Sequence, residues 1–346
     1  PSYCSDHGAL NGAGNYVDWY KALLETCLKD EFPELKREAC KTALALCKSQ
    51  PKLIKPFALP LAKVLKRSCL QHKHSVVRVD ALRAFSALVH NGAEDMLGDN
   101  KDEQDNKTTV YFLYILCNDH SDAVRTAAVD ALSCFLLDIT ARGDQPRRLL
   151  PHVLSLLTDR VPEVRGKANS LLLALGKQYM IDNEYNRVDM AKRRISLKDI
   201  EWYADDDYPD MALVSPTDIP LSNLESRPYL GARHVVAEHV THFLTKVIED
   251  ALAVNWMIPF SSVNKRVVAL HTLQMIIVFS ESNIIQYAQQ ILQCLYKVVR
   301  DDDKEAAQEA RVCVELMGKF MTPDNYLPFI LSKPTAEEEE ETTPED

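Results

Sequence analysis

The sequence of 346 residues predicts an all-α protein, a right-handed superhelix of antiparallel helix pairs stacked as an α-solenoid. Three observations predict this fold. One amphipathic helical pattern recurs six times, most copies follow one another at intervals in the forties, and no segment shows the two-residue alternation of a strand. Each unit of such an array packs only on its neighbours, so a chain of this length need not divide into separate globular domains.

The recurring pattern is clearest in residues 120–137, HSDAVRTAAVDALSCFLL. Asp119 stands just before this segment, Arg125 lies early in it, and apolar residues follow in steps of three and four, which places them on one face of a helix. Three positions after the aligned residue every copy has alanine, which lets two helices approach closely. Ten positions after it every copy has a large apolar residue, such as Phe135, which can fill a core. The six copies align on Lys36, Arg78, Arg125, Arg165, Arg266 and Ala307.

Successive copies are 42, 47, 40, 101 and 41 residues apart. A period in the forties with two helices per unit resembles the HEAT repeat. The interval of 101 residues indicates an insertion within one repeat. We expect the six aligned helices to form the inner layer of the solenoid, with their partner helices outside.

The pattern divides the chain into five parts. Residues 1–14 are Gly-rich and predicted to be irregular, 15–183 to form HEAT repeats one to four, 184–228 to form a long inserted loop, 229–332 to form repeats five and six with the start of another helix, and 333–346 to be a disordered acidic tail. Four prolines forbid a long helix in the insertion, and the charge of the tail prevents it from burying a core. Helices are predicted near residues 16–28, 33–48, 53–70, 75–91, 108–117, 121–140, 145–158, 162–183, 229–250, 262–281, 284–300 and 304–320.

Composition and charge argue against several classes of protein. The formal net charge is −10, of which −7 lies in residues 337–346, so the body carries about −3 and presents no basic stripe for nucleic acid. No apolar run approaches the roughly 18 residues of a membrane span. The nine cysteines include no CxxC pair, which is typical of reduced thiols in a cytoplasmic protein.

The aligned arginines are the first candidate site. They could bind anions, but in HEAT proteins residues at this position usually bond the aspartates of neighbouring repeats. Two of the aspartates stand six positions before an arginine, as that arrangement requires. We therefore interpret five residues as a structural ladder between repeats: Arg78, Asp119, Arg125, Asp159 and Arg165.

A cluster of His234, Glu238, His239 and His242 suggests a metal site. Its order is EHxxH rather than the HExxH of a zinc site, and no third ligand is indicated, so a solvated helix face is the favoured interpretation. The chain also has no GxSxG, P-loop or dinucleotide-binding motif. We expect no enzyme activity, cofactor, metal or small-molecule substrate.

The insertion contains an acidic and aromatic stretch, WYADDDY. Aromatic residues flanked by acids in a long loop can dock a protein partner. Alternatively, the two aromatics that begin the stretch fold back over the end of a helix pair, and both interpretations remain open. Ser196 and Ser215 match kinase patterns that arise often by chance. The candidate partner-binding residues are Trp202, Tyr203, Asp205, Asp206, Asp207 and Tyr208.

Two motifs match those of one particular family more closely than they match the general HEAT pattern. The insertion leads into RPYLGAR at residues 227–233, and the last helix pair closes in VELMGKF at residues 314–320, followed by TPDNYLPFIL. On these motifs the chain resembles the HEAT-repeat dynein axonemal assembly factor family, the fifth of that set, over roughly residues 17–332. The segment MIPFSSVN before Lys265 departs from the family pattern, in which the next helix is expected to follow directly.

The resemblance implies a non-enzymatic cytoplasmic scaffold that assists preassembly of axonemal dynein arms for motile cilia or flagella. It implies protein partners, namely dynein chains, other assembly factors or chaperones, with a co-chaperone role. Two other HEAT-repeat classes stay open. An importin-type transport receptor also stacks HEAT repeats, although no Ran-binding face is recognisable, and a phosphatase scaffold has more uniform repeat lengths than this chain.

Overall fold

The computed structural model describes residues 7–98, 109–139, 145–185, 227–254 and 257–321, together with residue 327. Apart from one isolated bridge between Met257 and Asn264, the regular elements of these residues are all helical. Twelve helices of nine or more residues form six successive pairs. They are α1 (His7–Lys29), α2 (Pro33–Ser49), α3 (Ala58–Ser68), α4 (Ser75–His90), α5 (Thr109–Cys117), α6 (Asp122–Ser133), α7 (Gln145–Leu156), α8 (Pro162–Tyr185), α9 (Arg227–Ala251), α10 (Lys265–Ser280), α11 (Ala288–Val299) and α12 (Lys304–Phe320).

Local sequence signals start several of these helices. Helix α2 begins at Pro33, whose fixed φ suits the first helical position. In the turn before it, an Asp30 carboxylate oxygen accepts a 2.8 Å hydrogen bond from the Phe32 N–H. Asp303 caps α12 by accepting from the Ala306 N–H at 3.1 Å. The boundaries of α2 and α12 therefore follow from residues that sit beside them in the chain.

Within the first four repeats the second helices form one continuous layer: α2 packs on α4, α4 on α6, and α6 on α8. The apolar stripe of α6 continues into the π-helical turn that follows it (Cys134–Asp138) and faces inward, and Val124, Ala128, Leu132 and Phe135 are each 0% exposed. The Phe135 ring meets that of Phe85 edge to face, with centroids 6.3 Å apart. The predicted burial of this stripe, and the prediction of an all-α solenoid of helix pairs, are confirmed. The right-handed sense of the superhelix stays a prediction.

The layers exchange partners between repeats four and five, which corrects our expectation of one layer for all six aligned helices. Helix α9, the first helix of repeat five, packs along α8, the second helix of repeat four. Helix α10 packs against α7 and α9, and then continues the stack through α12. A connection of 41 residues joins α8 to α9. So long a connection does not hold α9 in the place that a short loop would impose.

Three helix ends cross the boundaries between parts of the chain that the sequence predicted. Helix α1 begins at His7, so residues 7–14, which we predicted to be irregular, are helical. Three glycines lower helix propensity there by about 1 kcal/mol each, but lengthening an existing helix avoids the cost of nucleating a new one. Helices α8 and α9 also take residues 184–185 and 227–228 from the predicted insertion.

The remainder of the insertion, residues 186–226, lies outside the described residues, as does the predicted acidic tail. In the part of the chain that the structure describes, no helix combines the length and the hydropathy that crossing a membrane requires.

Candidate binding surfaces

A row of buried ion pairs joins the start of the second helix of one repeat to the loop between the two helices of the next. Arg78 donates from Nε and Nη2 to the two carboxylate oxygens of Asp119, each at 2.7 Å, and both side chains are 0% exposed. Arg125 makes the same two-pronged contact with Asp159. Each arginine therefore bonds the aspartate of the following repeat, and these pairs join repeat two to three and repeat three to four.

Each arginine of this row also bonds its own loop. Arg125 donates to the Asp119 carbonyl at 2.7 Å, and Arg165 donates to the Asp159 carbonyl at 2.8 Å. The aspartates also stabilise the loops in which they lie. Asp119, for example, accepts a hydrogen bond from the Ser121 N–H at 2.9 Å. One buried carboxylate thus stabilises its own loop and binds the arginine of the preceding repeat. We propose a structural rather than anion-binding role for the five ladder residues, since a two-pronged carboxylate already engages Arg78 and Arg125.

The same position behaves differently where the local sequence differs. Repeat two has His72 where four of the six repeats have aspartate, and Lys36 of repeat one bonds the Ser68 carbonyl at 3.2 Å instead. Arg266 donates to Asp301 at 3.1 Å, and this contact lowers the pKa of the Asp301 carboxyl below its ordinary range. A cation at the aligned position therefore makes a polar contact between repeats both before and after the insertion.

The segment that departs from the family pattern closes over this row. Phe260 has φ +59°, a left-handed conformation that is unusual for a bulky residue. Its carbonyl accepts a 2.6 Å hydrogen bond from the His120 N–H, and its ring lies 4.6 Å from the Arg78 guanidinium carbon. Nearby, Ile258 packs with Ile115 and Val268. The connection between α9 and α10 thus reaches back to repeats two and three. The sequence of this segment departs from the family pattern but contains no signal for this contact.

A cavity of about 310 Å³ lies where the helix layers exchange, between α5, α7, α9 and α10. Most of its wall is apolar, as Phe243 and Val247 illustrate. Two polar atoms in the wall, the Tyr114 hydroxyl oxygen and His152 Nε2, are buried and have no hydrogen-bond partner among the described residues. The two rings are 6.1 Å apart between centroids. Neither residue belongs to a motif that is recognisable in the sequence.

The electrostatics of this cavity centre on Asp250, whose Oδ1 lies 2.8 Å from both Lys246 Nζ and Lys265 Nζ. These are ion contacts without the directionality of a hydrogen bond. Burial lowers the pKa of His152 to about 4, although Asp250 opposes this shift. Burial, helped by the charge of Asp250, raises the pKa of Tyr114 above its ordinary value. Both side chains are therefore neutral near pH 7.

The histidines considered for a metal do not converge. His234 is buried and stacks on Tyr179, with centroids 6.0 Å apart and an angle of 16° between the rings. His239 lies beside His242 instead, at 6.2 Å between centroids. Among the described residues no group of three or more His, Cys, Asp or Glu side chains is placed to hold a metal ion. The candidate partner-binding residues, Trp202 to Tyr208, lie outside the described residues.

Comparison with known families gives a direct match. A family model described as "Dynein axonemal assembly factor 5-like, TPR repeats" matches residues 9–189, slightly more than half of the chain. The chain belongs to this family. A second model, "Dynein axonemal assembly factor 5, HEAT-repeat domain", matches residues 220–343. The fold is thus a HEAT-type solenoid of helix pairs. The first model's description names TPR repeats, although the spacings of 42, 47 and 40 residues exceed the 34 of that repeat.

Curated relatives carry the same name. The human protein dynein axonemal assembly factor 5 is 28% identical over 309 residues, which cover 89% of this chain and 32% of the human protein. The Drosophila melanogaster protein of that name is 24% identical over 88% of this chain and 32% of its own length. The chain therefore spans about a third of the length of the curated relatives that it matches.

Solved structures with the same general build are more distant. Yeast importin-beta is 14% identical over 90% of this chain and 37% of its own, with a TM-score of 0.42. A designed armadillo repeat protein is 12% identical over 85% of this chain and 98% of its own, with a TM-score of 0.34. Neither likeness is close enough to carry an argument about function.

Proposed function

We propose that this chain is part of a non-enzymatic cytoplasmic scaffold that assists preassembly of axonemal dynein arms for motile cilia or flagella. The observation that carries the proposal is the match of two dynein axonemal assembly factor 5 models to residues 9–189 and 220–343. The stacked helix pairs support it, because a solenoid exposes a long surface on which partners can be held. Its partners are then dynein chains, other assembly factors or chaperones, and the chain acts beside them as a co-chaperone.

The buried ion pairs between repeats have a structural rather than a catalytic chemistry, which agrees with a scaffold role. The charged side chains of the ladder are buried and used between repeats, as the pair of Arg78 with Asp119 illustrates. A buried, carboxylate-paired guanidinium stabilises geometry but is not available to a substrate. We propose the acidic and aromatic stretch that contains Trp202 and Tyr203 as a partner-binding segment, on the ground of its composition.

Co-precipitation from the cytoplasm of ciliating cells tests this function. The full-length protein with the wild-type Trp202 and Tyr203 should capture dynein heavy or intermediate chains. The double variant Trp202→Ala with Tyr203→Ala should capture less. The chain offers a matched control, since Trp19 and Tyr20 form the same dipeptide on α1 and are 58% and 42% exposed. Trp19→Ala with Tyr20→Ala should leave the capture unchanged.

The outcomes separate the parts of the proposal. If the wild-type protein captures no dynein chain, the assembly function is wrong. If it captures dynein chains and both double variants do so equally well, the function stands and the partner surface lies outside residues 202–203.

A further inference from the structure

The cavity between α5, α7, α9 and α10 has the construction of a binding site. It lies where the part of the chain matched by one family model meets the part matched by the other, and ligand sites prefer such junctions. Its volume of about 310 Å³ falls at the lower end of the range of ligand pockets.

Two unpartnered polar atoms mark one part of the wall. His152 is 8% exposed, and its Nε2 atom and the Tyr114 hydroxyl lack hydrogen-bond partners among the described residues. Buried polar groups are nearly always hydrogen-bonded, because an unmade bond costs about 1–3 kcal/mol. A hydroxyl can donate and accept, and a neutral imidazole nitrogen does one or the other according to its tautomer. Both atoms therefore suit a neutral polar tip, such as another hydroxyl.

The charges around the cavity favour an acidic ligand. Arg147, Arg148 and Lys246 line it, against one lining carboxylate, Asp250, and Glu249, which lies 3.5 Å from Lys246. The Asp250 carboxylate already lies between Lys246 and Lys265, each 2.8 Å away. Arg147 and Lys246 are exposed, so their charge acts at the mouth of the cavity rather than within it. A partner with negative charge around an apolar body would be attracted to this mouth.

We infer that this cavity receives the tyrosine side chain of an acidic peptide. Tyrosine has an apolar body and a hydroxyl tip, which match the apolar wall and the unpartnered Tyr114 and His152 atoms. Acidic residues on either side of it would meet Arg147 and Lys246. Because an aromatic anchor in a pocket is a common centre of binding energy, the cavity would hold a client segment on the scaffold. The inference rests on the proposed scaffold function.

Fluorescence anisotropy with three labelled peptides tests the inference. The first is Asp-Asp-Tyr-Asp-Asp, the second replaces its tyrosine with phenylalanine, and the third replaces its aspartates with lysines. The first should bind about 3- to 10-fold more tightly than the second, which is the range for one net hydrogen bond. The third should bind least, and added salt should weaken the first.

Two variants of the protein locate the binding. Tyr114→Phe removes a hydroxyl that has no hydrogen-bond partner among the described residues, so it should not lower the melting temperature, while it weakens the first peptide about 3- to 10-fold and leaves the phenylalanine peptide unaffected. Arg147→Gln should weaken both acidic peptides. Arg311→Gln, an exposed arginine on α12 away from the cavity, is the matched control and should change neither.

Three results would overturn the inference: no binding of the first peptide, equal binding of the tyrosine and phenylalanine peptides, or equal binding to wild type and Tyr114→Phe. Self-association that Tyr114→Phe abolishes would also overturn it, because the occupant would then be a second copy of this chain. If the peptide fails while dynein capture persists, the cavity is not the socket and the scaffold function stands.

Discussion

Arg78 and Asp119 form a fully buried, two-pronged ion pair across 41 residues of sequence, with both nitrogen-to-oxygen distances at 2.7 Å. The pair joins the start of α4 to the loop between α5 and α6. Phe260, from the connection between α9 and α10, covers the same guanidinium. Three repeats therefore meet at one cation.

Removing one partner of this pair should destabilise the array strongly. We expect Arg78→Met to lower the free energy of unfolding by roughly 3–5 kcal/mol, because it leaves the Asp119 carboxylate buried without its cation. Urea denaturation followed by circular dichroism measures the loss. Lys167→Met, which breaks the exposed pair with Asp130, is the control and should cost far less.

The double variant Arg78→Met with Asp119→Leu extends this test. It should recover part of the loss, since no unpaired charge then remains buried. A single variant as stable as wild type would contradict the structural role of the pair.

Phe260 combines an unfavourable backbone conformation with a favourable ring contact. Phe260→Ala loses the ring over Arg78 but keeps a side chain at φ +59°. Phe260→Gly loses the ring equally and relieves the backbone, because glycine adopts positive φ without steric cost. The glycine variant should therefore be more stable than the alanine variant by about 1–2 kcal/mol in urea denaturation. Equal stability would mean that the backbone at this position is not strained.

Stability should fall in mild acid because His152 is buried neutral. Its pKa is lowered from 6.5 to about 4 in the folded chain, mainly by burial, so the unfolded chain binds more protons between these values. Stability is then fully present above pH 6.5 and is lost as the pH falls toward 4, by up to roughly 3 kcal/mol. The charged and titratable groups that line the cavity with this ring are Arg147, Arg148, His242, Lys246 and Asp250, beside the neutral Tyr114.

Melting temperatures across this pH range test the role of His152. His152→Leu should show a smaller loss between pH 6.5 and 4 than wild type. His90→Leu, at an exposed position, should follow the wild-type curve. Parallel curves for wild type and His152→Leu would show that the acid sensitivity arises elsewhere.

The core of repeat three depends on Phe135. We expect Phe135→Ala to cost roughly 3–5 kcal/mol, because the ring is 0% exposed and its loss leaves a cavity against Phe85. Tyr111→Ala, at a position 38% exposed on α5, should cost much less. Calorimetry of the three proteins decides the point, and a loss below that of Tyr111→Ala would contradict the observed packing.

The sequence by itself determined where the twelve long helices lie, to within a few residues at most of their ends, and which face of α6 is buried. Apolar residues spaced by three and four, such as Val124, Ala128 and Leu132, select one helix face wherever that helix is placed. The matched offset between aspartate and arginine also indicated a ladder between repeats, because equivalent loops stack in register when connections are short.

Only the tertiary structure decided how repeat five joins repeat four. The local periodicity of the sequence does not determine where α9 packs after a connection of 41 residues. The packing of α9 on α8, the contact of Phe260 with Arg78 and the approach of Tyr114, His152 and Asp250 to one cavity all follow from that return. Each brings together residues from repeats that are distant in sequence, and only the mutual packing of whole helices selects which of them meet.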